Sequence, residues 1–409
     1  MDIEDAEDIG ISVGAGILAS YLTVKLMEAT YRPKKKLLLL LSPRYQTDEI
    51  KSAINTYREA IYTEGWSLIV HDLITDESSS WERVRSIIDN EYKKETHLAN
   101  LLIGDDIDYA LSRIAINIWG TDECYPTLAP YASIPSEYTP TDCGLKMTSK
   151  HGDYLVRIPT SVLIPCICES IDTRRKRVYN TLLKFANRNF NYSNKAIAII
   201  SPGYSTLEDI CDVKKYASRL GNLAVISGRY PTKEELDRLK TQKHKFVYLQ
   251  AHASTGGLSF LYNVYGVSDF WKTITPFEIL YGCEVSGWAP GRGCTYLPPS
   301  TYAHYLASAI LINPDLRLAC LGIGSKSWAF CPRICCTKRR PPQCPPNCRL
   351  LPHGKNCIID NESPCVYDQD ILSILPNMAN GKSFAEAIVS KRLFDIIMIH
   401  GDPTFRYPD

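Results

Sequence analysis

The chain has 409 residues, which is long enough for two or three domains' worth of buried core. Its composition, with 45% hydrophobic and 22% charged residues, is that of a globular protein. The formal net charge of +1 gives no electrostatic footprint for nucleic acid, so we expect no nucleic-acid partner.

The first 33 residues are predicted to form an apolar helix or tether. Residues 9–24 carry no charge, but this run of 16 residues is shorter than the roughly 20 that span a bilayer. Acidic rather than basic residues precede it, which argues against a secretory signal. We therefore expect a short helix packed on the core or on a partner, with membrane contact through 9–24 as the less favoured alternative. If the segment does insert, the lysines at 34–36 would keep the main domain cytoplasmic.

Strand and helix patterns alternate from Lys34 onwards. In the first part of the chain, buried apolar runs predict three strands and helical periodicity predicts two helices. The strands are Leu37–Leu41, Trp66–Leu73 and Leu98–Ile103, and the helices are Thr47–Tyr62 and Trp81–Tyr92. Residues 119–150 are rich in proline, threonine, tyrosine and glycine, and they are predicted to form a long loop or a strand-poor excursion.

A second series of the same kind begins at Tyr154. The predicted strands are Tyr154–Ile158, Ala196–Ile200, Leu223–Ser227, Phe246–Ala251, Leu316–Ala319 and Phe394–Ile399, and the predicted helices are Ser170–Arg188, Leu207–Leu220, Thr232–Lys240, Thr301–Ile312 and Ser383–Arg392. Repeated units of this length indicate a mostly parallel sheet, because parallel strands need crossover connections. The sequence thus predicts an α/β protein of two tandem doubly wound subdomains, 34–169 and 170–409. The second carries irregular insertions at 261–300 and 329–368.

Two of the predicted strands end in a reactive side chain. His252 follows the strand Phe246–Ala251, and Cys320 follows the strand Leu316–Ala319. Parallel strands deliver the residues at their carboxyl ends to one edge of a sheet, where ligands bind. A histidine and a cysteine could meet there, and a thiol nucleophile with its base requires such a pair.

Several fragments, in order along the chain, resemble the gingipain-like cysteine peptidases of the caspase–hemoglobinase superfamily. They are the opening strand and helix from Leu37, Leu101–Asp106 (LLIGDD), Thr141-Asp142 with Gly152–Pro159 (GDYLVRIP), Phe384–Ala387 (FAEA) and Ile399–Thr404 (IHGDPT). The resemblance covers most of the chain from Lys34 to Asp409. It implies a caspase–hemoglobinase fold and peptidase activity on proteins or peptides.

The resemblance also implies roles for the two strand-end residues. Cys320 would be the nucleophile, and His252 would be the base that raises its thiolate population and protonates the leaving amine. The backbone N–H groups of Ala253 and Cys320 would bind the oxyanion. The chain departs from the family at Ala253, where glycine is usual.

Acidic residues near the strand Ala196–Ile200 are less well matched. The family places a carboxylate that assists the histidine directly after this strand, but Ser201-Pro202-Gly203 stands here, so no third catalytic residue is assigned. Glu208 and Asp209 resemble, by position, acids that hold a basic substrate residue in some family members.

Seven of the 15 cysteines crowd residues 331–365. Disulfides are the first interpretation, and they would imply an oxidising compartment. Structural zinc is the second, because the spacings Cys331/Cys335 and Cys344/Cys348 fall within the loose end of the zinc range. Free thiols are the third.

The function that these features predict is a cysteine endopeptidase that acts through an acyl-enzyme and requires no cofactor. The alternative is a catalytically inactive homologue that serves as a binding or scaffold protein, which Ala253 and the missing carboxylate favour. A membrane-tethered or metal-binding assembly factor is a third hypothesis. The compartment stays open: a tether at 9–24 would make the protein cytoplasmic or membrane-associated.

Overall fold

The structure is a computed structural model. It describes residues 35–95, 97–116, 121–141, 144–149, 153–165, 169–188, 192–202, 213–254, 257–260, 263–266, 273–282, 319–323, 371–395 and 397–407. Within these ranges, no helix combines the length and the apolar character needed to cross a membrane. The segment 9–24, the predicted helix 301–312 and the insertion 329–368 lie outside the described residues.

Strands and helices alternate along the chain. The strands are β1 (Lys35–Leu41), β2 (Trp66–Asp72), β3 (Leu98–Ile103), β4 (Leu111–Ile116), β5 (Thr121–Pro126), β6 (Tyr138–Thr141), β7 (Gly144–Met147), β8 (Asp153–Leu155), β9 (Thr160–Leu163), β10 (Lys195–Ile200), β11 (Asn222–Ile226), β12 (Phe246–Gln250), β13 (His252–Ser254), β14 (Gly257–Phe260), β15 (Asn263–Gly266), β16 (Phe277–Tyr281), β17 (Ala319–Ile323), β18 (Arg392–Phe394) and β19 (Ile397–Gly401). The α-helices are α1 (Asp48–Tyr62), α2 (Thr75–Ser78), α3 (Trp81–Lys94), α4 (Ala129–Ala132), α5 (Ile171–Ala186), α6 (Lys233–Thr241), α7 (Leu375–Ala379) and α8 (Phe384–Ile388).

Ten of these strands form one sheet in the order β11-β10-β12-β16-β17-β19-β9-β3-β1-β2. Neighbouring strands are parallel except for β17 and β19. The predicted mixed α/β, mostly parallel architecture is confirmed. The two strand–helix series occupy the two halves of this sheet, which meet where β19 pairs with β9.

The local sequence explains why these elements form. Strand β1 carries the run Leu37–Leu41, all fully buried, as expected for a strand covered on both faces. Helix α1 begins after Thr47, whose side chain accepts a hydrogen bond from the backbone N–H of Ile50. Its apolar face packs on α5, where the rings of Tyr57 and Phe185 lie 6.0 Å apart.

A buried ionic network holds the end of the described chain against these helices. Asp402 is fully buried and accepts hydrogen bonds from the Tyr57 hydroxyl (2.5 Å) and the Thr404 backbone N–H (2.8 Å). Its second carboxylate oxygen lies 3.0 Å from the Arg188 guanidinium, just beyond α5. A buried carboxylate with a paired cation and hydrogen bonds avoids most of the cost of desolvation.

Two predicted segments in the first half differ from the structure. The segment 119–150, predicted to be a long loop or a strand-poor excursion, contains β5, β6 and β7, which form a small sheet with β4. These short strands are not evident from the sequence because the segment is rich in turn-forming residues. The predicted strand Tyr154–Ile158 is also wrong: only β8 is extended there, and it pairs with β18 outside the main sheet. The main-sheet strand is β9, which starts after Pro159, whose carbonyl accepts from the Asn100 N–H at 2.7 Å. Proline is tolerated at a strand's beginning because no ladder donor is needed there.

Two predicted boundaries in the second half are also wrong. Residues 261–300, predicted to be an irregular insertion, contain β16, a central strand of the main sheet. Glu278, fully buried in the middle of β16, interrupts the apolar run that would have identified it. The strand predicted to end at Ala319 continues to Ile323 in β17, so Cys320 lies inside the strand rather than after it.

Candidate active site

Three adjacent parallel strands, β10, β12 and β16, end at the same level. Ile200, Gln250 and Tyr281 are in register across them. The backbone N–H of Ser201 donates to the Gln250 carbonyl at 2.8 Å, and that of Ala251 donates to the Tyr281 carbonyl at 3.1 Å. The pairing therefore continues one residue past the strand ends on both sides of β12.

The residues at this next level are all small and buried: Ser201, Ala251 and Gly282. The residues that follow them in sequence are Pro202, His252 and Cys283. Ligands of open α/β sheets bind outside the carboxyl ends of the strands. This edge is therefore the candidate active site.

His252 lies at this edge, as the sequence predicts. It is the first residue of β13 and faces Ser259 across the antiparallel pairing with β14. Ala253, the predicted oxyanion donor, is the next residue and faces Leu258. Strands β13, β14 and β15 form a separate three-stranded sheet that begins where β12 ends.

Cys320 lies elsewhere. It is in register with Glu278 of β16, which is in register with Val247 of β12. Cys320 is thus two strands from β12 and four levels below Ala251, which places its Cα roughly 13 Å lower along the strands and roughly 10 Å across them. The register therefore does not bring Cys320 to His252.

The backbone of Cys320 lies inside the main sheet. Strand β17 is paired on both sides, with β16 and β19, so its backbone N–H groups belong to sheet ladders and are not aimed at a substrate carbonyl. Its register partner on β19 is His400, which is buried. Burial lowers the pKa of His400 to about 3, so its imidazole is neutral at ordinary pH. A buried neutral histidine is a structural neighbour and does not promote thiolate formation by charge.

Glu208 and Asp209 lie outside the described residues, as do the candidate zinc ligands Cys331, Cys335, Cys344 and Cys348. In the part of the chain that the structure does describe, no three His, Cys, Asp or Glu side chains are grouped so as to hold a metal ion.

The sequence contains a signal for β16, the strand that lies within the segment predicted to be an irregular insertion. Pro276 precedes Phe277–Tyr281, a five-residue run with four apolar members, and Gly282 and Cys283 follow it. This is the same sequence of a short apolar run followed by a small and then a reactive residue that identified His252. Cys283 itself lies outside the described residues, whereas Gly282, to which it is bonded, is described and buried.

The carboxyl edge in the other half of the sheet is occupied by the protein's own side chains. Asp105, whose side chain is 1% exposed, accepts a hydrogen bond from the Tyr45 hydroxyl and pairs with Arg174. Asp106 accepts from the Ser42 hydroxyl and from the Arg44 backbone N–H. Burial raises the pKa of Tyr45, which stays a neutral donor. This edge is closed by internal hydrogen bonds.

Comparison with solved structures identifies the fold. The Arg-specific cysteine proteinase gingipain R (RgpB) is similar over 92% of this chain and 78% of its own, with a TM-score of 0.54 and 14% identity. A second structure, named simply as a protease, matches over 92% and 79% (TM-score 0.52, 11% identity). The complex of Porphyromonas gingivalis RgpB pro- and mature domains matches over 90% and 79% (TM-score 0.50, 14% identity). The sequence matches no family model and no curated protein. At these identities the likeness shows that the chain shares the α/β fold of these structures.

Proposed function

We propose that this chain is a cysteine endopeptidase that hydrolyses protein or peptide substrates, with His252 as the catalytic base. The observation that supports this most is the carboxyl edge of β10, β12 and β16, where small buried residues lead directly to His252. This edge lies on a fold shared with solved cysteine proteinases.

The proposed reaction has two stages. A cysteine thiolate attacks the scissile carbonyl, and His252, having taken the thiol proton, gives it to the departing amine. Water then hydrolyses the acyl-enzyme and regenerates the thiol. The reaction requires no cofactor.

The nucleophile has to lie at the same edge as the base. The register leaves Cys320 several residues below that edge and two strands from β12. Cys320, the nucleophile that the sequence resemblance implies, is therefore poorly supported as the partner of His252.

Peptide hydrolysis by the purified protein tests this proposal. We expect turnover of internally quenched peptides that stops after iodoacetamide treatment and falls roughly 10³-fold or more in His252→Ala. His97→Ala, at an exposed histidine that precedes β3, is the matched control and should keep wild-type turnover. Turnover that survives His252→Ala would contradict the assignment of the base.

An inactive homologue that binds a partner is the second candidate. Ala253 after the histidine and buried Ser201 at the end of β10, where the family has a carboxylate, favour it. In that case the folded wild-type protein hydrolyses no peptide in the same assay, while its thermal unfolding transition remains cooperative.

Two further proposals concern segments outside the described residues. The cysteine-rich segment 331–365 is proposed to be crosslinked by disulfides or to hold a structural zinc at Cys331, Cys335, Cys344 and Cys348. Thiol titration and metal analysis of the purified protein distinguish the two.

Residues 9–24 are proposed to pack on protein and not on a membrane. Co-sedimentation of the full chain with lipid vesicles tests this proposal.

A further inference from the structure

A lysine at the amino edge of the main sheet lies between two aromatic rings. Lys245 directly precedes β12, and its Nζ is 5.8 Å from the ring centroid of Tyr192 and 5.1 Å from that of Tyr407. The centroids of the two rings are 5.8 Å apart, and the ring planes meet at 82°. These two nearly perpendicular rings form the aromatic corner, in which the ammonium group of Lys245 lies.

The backbone around the aromatic corner is held in place by hydrogen bonds. The N–H of Lys245 donates to the carbonyl of Lys195 at 2.7 Å, and the carbonyl of Lys245 accepts from the Tyr407 hydroxyl, also at 2.7 Å. Tyr407 is buried, and its ring packs edge-on against that of Phe405 at 5.1 Å. The buried wall of the corner is therefore fixed by contacts that do not involve the ammonium group.

The charge of Lys245 is accommodated differently from that of other lysines in the structure. Lys35 also lies over an aromatic ring, that of Trp66, but it pairs with Glu386 at 2.9 Å. Within the described part of the chain, no carboxylate pairs with Lys245, and no other cation contacts two described rings. Ring faces attract the Lys245 ammonium group where Lys35 uses a carboxylate.

From this arrangement we propose that Lys245 is a methylation site, which takes methyl groups on its side-chain nitrogen. Each methyl group replaces an N–H donor, which a ring face satisfies only weakly, with apolar surface that packs on the ring. The positive charge, which the rings attract, is kept. Aromatic rings grouped in this way are how proteins recognise methylated ammonium groups. Acylation, in contrast, would remove the charge.

The methylation step needs a methyl donor of the sulfonium class and a transferase that binds it. The lone pair of the neutral amine attacks the methyl carbon, a C–N bond forms as the C–S bond breaks, the sulfur leaves as a neutral thioether, and the amine proton passes to water. Burial lowers the pKa of Lys245, which increases the fraction of neutral amine available for this attack. Lys245 is only half-buried, so a transferase can reach it.

The aromatic corner joins the two halves of the main sheet through residues 402–407. Asp402 accepts a hydrogen bond from Tyr57 of α1 in the first half, and Tyr407, farther along the same segment, bonds to Lys245 beside β12 in the second half. Methylation of Lys245 therefore strengthens its contact with Tyr407 and holds this segment more firmly across both halves.

Mass spectrometry of the protein isolated from the cells that make it tests the proposal directly. We expect Lys245 to carry added methyl groups, and we expect none on Lys243, an exposed lysine of the same segment that serves as the matched control. Fragment ions distinguish the two positions when they fall on one peptide. Unmodified or acylated Lys245, or equal methylation of both lysines, would overturn the proposal.

Chemical methylation of the purified full chain tests the aromatic corner itself. Formaldehyde with a borane reductant converts lysines to dimethyllysines, and Lys245→Arg identifies the methyl signal of dimethylated Lys245 by NMR. Ring currents should shift that signal away from the signal of dimethylated Lys243, and Tyr192→Leu, at the half-buried wall, should reduce the shift. Amide exchange at Phe405 should slow after methylation of the wild-type protein but not of Lys245→Arg. Coincident methyl signals, or no change in exchange, would show that the methylated group lies outside the corner.

Discussion

Two halves of the main sheet are built alike up to their carboxyl edges. Leu41 is in register with Ile103 in one half, and Ile200 with Gln250 in the other. Ser42 and Ser201 follow β1 and β10, each precedes a proline, and each donates its backbone N–H to the last carbonyl of the neighbouring strand. Position 105 in the first half is therefore equivalent to position 252 in the second.

The equivalent positions have opposite surroundings. Asp105 is buried among Tyr45 and Arg174, so the edge of the first half is closed by charges that satisfy one another. His252 follows a level made only of small residues. The comparison indicates that the same backbone arrangement carries buried, mutually bonded polar groups at one edge and small buried residues at the other. Changes at the closed edge should therefore affect stability, and changes at the other edge should affect turnover.

Asp105→Asn is the sharpest test of this difference. Removing the charge leaves the largely buried Arg174 guanidinium without its closest carboxylate, and breaking a buried pair of this kind costs about 3–5 kcal/mol. We expect a lower free energy of unfolding in urea, with kcat/KM of the folded fraction unchanged. Arg44→Ala, at a half-exposed partner of the same carboxylate, is the control and should cost less than about 1 kcal/mol. A loss of turnover in Asp105→Asn without a loss of stability would break the comparison.

Gly104→Ala probes the level just below Asp105. Gly104 has φ +141°, and a Cβ there would lie 2.0 Å from the Ser42 hydroxyl and 2.5 Å from its Cβ. Backbone strain and overpacking together should cost about 2–4 kcal/mol, measured as the shift in the urea midpoint.

Ala251 is the matched position in the other half. It already carries a Cβ at the level that Gly104 occupies, so Ala251→Gly removes one buried methyl group and should cost only about 1–2 kcal/mol. Equal losses in Gly104→Ala and Ala251→Gly would mean that the two edges are equally packed.

How well the strands of the main sheet can be predicted from the sequence differs from strand to strand. Strand β1 was predictable because Leu37–Leu41 is a continuous apolar run, which a strand buried on both faces requires. Strand β16 was not, because Glu278 is buried in its centre and a charged residue is the usual sign of exposure. Local hydrophobicity patterns predict burial only on average, and a buried carboxylate such as Glu278 gives the pattern of an exposed residue.

The candidate site was predictable only in part for a related reason. The rule that reactive residues follow short apolar strands predicts His252 at the end of β12. The same rule predicts Cys320 on a neighbouring strand, because Leu316–Ala319 is the next such run followed by a reactive residue that the pattern identifies in sequence. Insertion of β16 between β12 and β17 is a property of the whole sheet, which no local pattern encodes.

The smallest expected difference between the halves concerns the crossover helices α3 and α6. Helix α6, which leads to the His252 strand, begins with a capping box between Thr232 and Glu235, and Arg229 binds the same carboxylate at 2.5 and 2.7 Å. Helix α3 begins with a single Ser80 cap. The bonds from Arg229 lower the pKa of Glu235 to about 2. Because the folded-state pKa lies below the unfolded value, this carboxylate stabilises α6 fully above about pH 4.5, and the contribution is lost as the pH falls towards 2.

Amide hydrogen exchange can detect that difference. Since Arg229 is half exposed, we expect Glu235→Gln to cost only about 1 kcal/mol at pH 7, seen as faster exchange in the first turn of α6 and unchanged exchange in α3. On lowering the pH from 5 to 2, the wild-type protein should approach the variant, with exchange rates corrected for their intrinsic pH dependence. Glu235→Asp, which keeps the charge but shortens the side chain, should retain part of the pH dependence. If α3 instead loosens first on acidification, the half that carries the closed edge is the weaker one, and the contrast between the two halves does not extend to their crossover helices.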